Sequence, residues 1–178
     1  MKLRDLILPL VALVVLVADQ FSKAWAVENI PLNTTLDIIP ALRDIFVFTH
    51  ITNSGAAFGL FPQLSIVFTF VALAVSVVIV FYHRSIPAEQ WLVRLSLGLQ
   101  LGGAIGNLVD RLRFGSVIDL FYVRMFPVFN VADTAIVSGV ILLMWHLMRT
   151  PQQPEAAAQA VAPPDPTEKT ESSGDGLG

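Results

Sequence analysis

The sequence predicts a mainly α, polytopic membrane protein with four transmembrane helices and a small β-sheet on one side of them. Three observations carry that prediction. Hydrophobic residues make up 54% of the chain and charged residues only 14%, whereas a soluble domain is nearer a quarter charged. Four apolar runs, at about 6–26, 65–82, 91–109 and 131–148, are long enough to cross a hydrocarbon core about 30 Å thick. Between the first two runs the pattern changes to short pieces of β-branched and aromatic residues, LDII and IFVFTHI, separated by Pro40 and charges. A membrane domain over 1–150 and a tail over 151–178 follow from this division.

The first run opens with Lys2 and Arg4 ahead of Leu6 to Ala18, the layout of a secretory signal peptide. No small-residue cleavage site of the A-x-A kind follows, and the helix continues through DQFSKAWAV, so the run is read as a first span. At roughly 1.5 Å per residue, Asp19 lies about 22 Å from Arg4, inside the hydrocarbon and near its far edge. An acid there needs a partner. Lys23, four residues on, supplies an ion pair that closes the helix; a direct catalytic role for Asp19 is the alternative.

The loop from Glu28 to Leu64 leads into TNSGAAFGLF, where Asn53 offers an amide beside Gly55 and Gly59, backbone flexible enough to approach a ligand. A plain turn into the second span explains the same residues. Ser65 to Tyr82 carries no charge and can span with little tilt. His83, Arg84, Pro87 and Glu89 make a short polar connection, and Arg94, near the start of the third span, is close enough to the surface to snorkel. Gly98, Gly102 and Gly106 give two G-x-x-x-G spacings against which another helix can pack closely. Gly106, beside Asn107, would in addition clear space for a substrate.

Polar residues are densest from Gly102 to Thr134, with three acids, three arginines and two asparagines between apolar segments. Asn107 and Arg111 share a helical face, and Arg111 has donors for a carbonyl, carboxylate or phosphate. Asp110 opposes the dipole at a helix C-terminus unless an arginine compensates it, and is read as structural. Asp119 lies in a strand-like run, Val117 to Val123, and Asp133 opens the last helix fourteen residues later, after a second expected strand, FPVFN. A returning loop of that length can bring the two acids face to face. In a site of low dielectric they cannot both ionise, so one holds a proton while the other is a base. That is the acid/base arrangement of an aspartic peptidase. Asn130 and Asp133 also fit an N-cap with an acid in the first turn, and the positive helix end favours ionised Asp133, leaving Asp119 as the proton holder.

Other chemistries fit less well. There is no cysteine, which excludes disulfides and thiolate sites, and His50 should lie across the membrane from His83 and His146. No metal, no cofactor and no nucleic-acid partner is expected. A Ser22/Lys23 dyad is poorly placed because neighbours on a helix do not face one another. A proton relay through Asp19, Asp110, Asp119 and Asp133 would need charge across the spans, and Ser65 to Tyr82 and Ala135 to Trp145 have none. A scaffold without chemistry leaves the two acids unexplained. From Pro151 the composition predicts a disordered cytoplasmic tail holding five of the fourteen acids, so the rest of the chain is slightly basic. Basic residues flank both sides of the spans equally. Both termini are assigned to the cytoplasm because a basic start normally dominates, which puts the polar loops outside.

Taken together, DQFSK (Asp19 to Lys23), NSGAAFG (Asn53 to Gly59), GGAIGNLVDR (Gly102 to Arg111), GSVIDLF (Gly115 to Phe121) and FNVAD (Phe129 to Asp133) resemble bacterial lipoprotein signal peptidase, signal peptidase II, over roughly residues 1–150. The resemblance implies a multi-pass aspartic endopeptidase of the inner membrane that removes the signal peptide from prolipoproteins, cutting just before a diacylglyceryl-modified cysteine. It carries the catalytic role onto Asp119 and Asp133. Supporting or substrate-binding roles fall on Asn53, Gly55, Asn107, Arg111 and Asn130, with Asp19 and Lys23 in the first motif. It further implies an extracytoplasmic β-sheet cradle for the substrate, an active site at that face of the bilayer, and inhibition by the cyclic peptide globomycin.

Overall fold

The structure, a computed structural model, describes residues 3–54, 65–87 and 89–149. Gly55 and the segment 151–178 lie outside the described residues. Residues up to Leu147 belong to a single unit. Its four long helices are α1 (Ile7–Asn29), α2 (Ser65–Tyr82), α3 (Trp91–Phe114) and α4 (Val131–Arg149), each long and apolar enough to cross a membrane.

Helix α3 is the axis of the bundle: half of its apolar window is buried, against 11–22% for the other three. Their outward faces carry Phe21, Phe70, Phe81 and Ile141, all more than 60% exposed. Such surfaces suit hydrocarbon and would be a liability in water. The close approach that the glycine spacing predicts is made by α1. A Cβ on Gly98 would stand 2.9 Å from the Leu8 carbonyl oxygen, and one on Gly102 would stand 2.6 Å from that of Ala12. Small residues here let two backbones touch where lipid gives no hydrophobic drive.

The third helix runs past Val109, the expected end of the span, to Phe114, and it carries Asp110 and Arg111 as the shared face of Asn107 and Arg111 requires. It stops at Gly115, whose φ of +73° and N–H bond to the Arg111 carbonyl (2.9 Å) form a left-handed cap. Arg94 does not snorkel. It is 3% exposed, held by its bond to the Ile86 carbonyl at 2.6 Å and by Asp5 at 3.2 Å.

Three strands, β1 (Thr35–Leu36), β2 (Phe46–Asn53) and β3 (Val117–Val123), form an antiparallel sheet in the order β1-β2-β3. Of the expected strand LDII only Leu36 is paired, because the chain turns at Pro40 into a short 3-10 helix. FPVFN is not a strand either. It contributes one bridge, Phe129 to Phe121, because Pro127 has no N–H to give a ladder and Asn130 already begins the next helix. Phe48 and Phe121 face each other across β2 and β3 with ring centroids 5.7 Å apart, and Trp25 meets Phe48 edge-on at 5.8 Å. With Ala26, Ile30 and Leu120 these rings dock the sheet on the last turns of α1.

Candidate active site

The site is assembled around Asn130, which is fully buried at the start of α4. Its Oδ1 accepts the Asp133 N–H at 2.9 Å while Asp133 Oδ2 accepts the Asn130 N–H at 3.2 Å. This reciprocal cap is the one that the spacing of the two residues predicts. The Asn130 amide then donates to Asp119 Oδ1 at 2.8 Å, so one side chain joins both acids.

Each acid has a further amide. Asn53 donates to Asp119 Oδ2 at 3.1 Å. The register pairs Asn53 with Val117, which sets it diagonally from Asp119 on one face of the sheet. Asn107 donates to Asp133 Oδ1 at 2.8 Å from α3. Asp119 is 2% exposed. Burial, and then repulsion from Asp133, push its carboxyl up to about 7, against the pull of the Asn53 and Asn130 amides and of Lys23.

A second cluster backs the first. Lys23, also buried, reaches Asp19 Oδ2 at 2.7 Å and Asp110 Oδ2 at 2.8 Å, and donates to Asn107 Oδ1 at 3.0 Å. The lysine, and not an arginine, therefore compensates Asp110, whose carboxylate also accepts the Ile118 N–H at 3.1 Å. The expected Asp19–Lys23 ion pair forms, but it does more than close the helix: Asp19 Oδ1 accepts the Ala132 N–H at 3.0 Å and ties α1 to the first turn of α4. Gly106 makes room for this acid rather than for a substrate, since a Cβ there would stand 2.5 Å from Asp19 Oδ2. Gln20 was not singled out from the sequence, yet it donates to Asp110 at 2.9 Å and to Asp19 at 3.2 Å. An amide beside an acid in an apolar span was the available signal. Ser22 spends its hydroxyl on the Asp19 carbonyl at 2.9 Å, and Lys23 is committed elsewhere, so the two form no dyad.

Arg111 is half-buried beside the pair, 3.4 Å from the Asn107 carbonyl and with its guanidinium 5.7 Å from the centre of the Phe68 ring. It shares with Asn107 and Asp133 one end of a cavity of about 280 Å³ between α2, α3 and α4, whose remaining walls include Val71, Val75, Ala104 and Ile136. A polar end with an acid and an arginine, and a remainder among the membrane helices that is apolar but for Gln100, suits an amphipathic ligand.

Comparison with known proteins gives the same picture. The sequence profile of the family described as Signal peptidase (SPase) II matches residues 11–149. Lipoprotein signal peptidase of Moorella thermoacetica is 48% identical over 139 residues, covering 78% of this chain and 91% of that protein. The lipoprotein signal peptidase of Halothermothrix orenii is 38% identical, covering 78% and 92%. A solved bacterial membrane enzyme shares the fold with a TM-score of 0.71 at 24% identity, over 81% of this chain and 92% of that one. With four helices able to cross a membrane and a matching profile over most of its length, the chain belongs to the signal peptidase II family, membrane proteases that remove signal peptides from prolipoproteins.

Proposed function

We propose that this protease is of the aspartic type, that Asp119 and Asp133 are its catalytic pair, and that it cuts just before a diacylglyceryl-modified cysteine. One observation carries the reading: a buried acid, Asp119, and a half-buried one, Asp133, from different elements are joined through the same asparagine, and the first is poised to hold a proton near neutral pH. Water adds to the scissile carbonyl carbon as ionised Asp133 takes one of its protons and Asp119 gives its own to the carbonyl oxygen. Collapse of the resulting diol breaks the C–N bond, with a proton passing to the leaving amine. No covalent intermediate is required.

The other polar residues hold this arrangement. Asn53, Asn107 and Asn130 fix the carboxyls, Lys23 and Asp19 fix Asn107 and the start of α4, and Arg111 orients the substrate backbone at the cavity's polar end. Gly55 is assigned to the same substrate-binding role from its motif alone. The apolar remainder of the cavity takes the signal helix or the acyl chains. The enzyme resides in the bacterial inner membrane with both termini cytoplasmic and the acids at the outer face, where a signal helix surfaces. Globomycin is expected to inhibit it. The test is cleavage of a lipidated prolipoprotein by the purified enzyme in detergent, with Asp119→Asn and Asp133→Asn assayed separately. Each is expected to lower turnover at least about a hundredfold, and near-normal turnover by either removes that residue from the mechanism.

A further inference from the structure

At the end of the bundle away from the acid pair, a cavity of about 260 Å³ is lined by Asp5, His83, Arg84 and Arg94. Three of these four described residues can be cationic. Arg94 is nearly inaccessible, and only part of its donor capacity is used: its Nη2 serves the Ile86 carbonyl and Asp5, while Nε and Nη1 are buried without a hydrogen-bond partner among the described residues. His83 Nδ1 is likewise buried without one among the described residues. A buried guanidinium with unmet donors is costly, and folded proteins retain one where water or an anion supplies the missing acceptors. One carboxylate already present does not do so.

The depth of the cavity identifies the anion. His83 and Arg84 directly follow Tyr82, the last residue of α2, and Arg94 lies one turn into α3 from Trp91; both aromatic side chains are exposed, by 67% and 47%. Exposed tyrosine and tryptophan at the ends of spans mark headgroup level. We propose that Arg94, with His83 and Arg84, forms a binding site for a phosphate group, that of an anionic phospholipid in the leaflet opposite the active site. The bound phosphate accepts from Arg94 Nε or Nη1 and from His83, with Arg84 at the rim. It thereby clamps the connection between α2 and α3 to the short 3-10 turn Leu3–Leu6 ahead of α1, which carries Asp5.

The test uses the full chain in detergent micelles. Native mass spectrometry with equimolar phosphatidylglycerol and phosphatidylcholine is expected to retain the anionic lipid about tenfold over the zwitterionic one, because both carry the phosphate but only the latter brings a choline cation against the arginines. Arg94→Gln should bring that ratio close to one. Because Arg94 also holds the Ile86 carbonyl, a second variant, His83→Gln/Arg84→Gln, provides the same comparison with Arg94 in place, and a reduction of several-fold is expected. Thermal unfolding with inorganic phosphate against chloride at equal ionic strength distinguishes the source. A phosphate-specific shift lost in the double variant, without a lipid preference, assigns the site to free phosphate. Equal retention of both lipids with no phosphate shift, or a preference that survives both variants, overturns the proposal.

Discussion

Lys23 donates to Asn107 Oδ1 at 3.0 Å, and this bond joins the charges carried by α1 to the amide that holds Asp133. The two clusters are therefore one network: a cation balanced by Asp19 and Asp110 on one side, and a pair of acids held by amides on the other.

Removing the cation should cost more than its own bonds. Lys23→Met leaves Asp19 and Asp110 buried without compensation, a change that typically costs about 3–5 kcal/mol. Thermal unfolding in detergent should show that loss, and adding Asp19→Asn should recover part of it. Independent, additive losses would show that the lysine and Asp19 are not coupled.

Asn130→Ala removes the amide that joins the acids together with the helix cap. Turnover is expected to fall about 10²–10³-fold, the usual effect of losing one preorganised donor, while stability falls by only about 1 kcal/mol. A fall in stability without a matching loss of turnover would reduce Asn130 to a cap.

Asp119 sets the pH response. Its folded value of about 7 is above its ordinary 3.8, so its contribution to stability is complete below about 4 and is lost as pH rises through about 7. Wild-type enzyme should therefore lose melting temperature from pH 5 to pH 8 more steeply than Asp119→Asn. Turnover should decline over the upper part of the same window, as the proton holder ionises. Parallel melting profiles for the two proteins would count against the raised value.

Two glycines should respond differently to alanine. At Gly106 the added carbon would stand 2.5 Å from Asp19 Oδ2 and must displace a buried acid from Lys23 and Ala132, so both activity and stability should drop. At Gly115 no atom of the described residues lies within 4 Å of the added carbon, and only the φ of +73° is strained, which costs about 1 kcal/mol and should leave turnover near normal. Equal effects at both positions would mean that the close approach at Gly106 is relieved by adjustment.

Much of this was legible in the residues. The spans were readable because lipid selects for uninterrupted apolar runs, and α2 covers Ser65 to Tyr82, the segment read as the second span. The cap between Asn130 and Asp133 was readable because it is local in sequence. What could not be read was partner choice across the bundle. The third span was expected to end near Val109, yet the helix carries Asp110 and Arg111 on to Phe114, with Asp110 balanced by Lys23 from α1. Nothing near Asp110 in sequence names Lys23, and nothing near Gly106 names Asp19. Both pairings arise from the packing of α1 on α3. FPVFN looked like a strand because its residues are apolar and aromatic, and the missing N–H of Pro127 outweighed that preference.

Holding both acids with Asn53, Asn107 and Asn130 has one further effect. An amide takes up and releases no proton, so the direct supports keep the same electrostatic character whatever the acidity of the surrounding medium. A histidine in any of those places would superimpose its own titration on the chemistry. As built, changes in the medium reach the reacting groups chiefly through the two carboxyls themselves, and enzyme and substrate exchange protons against a fixed background.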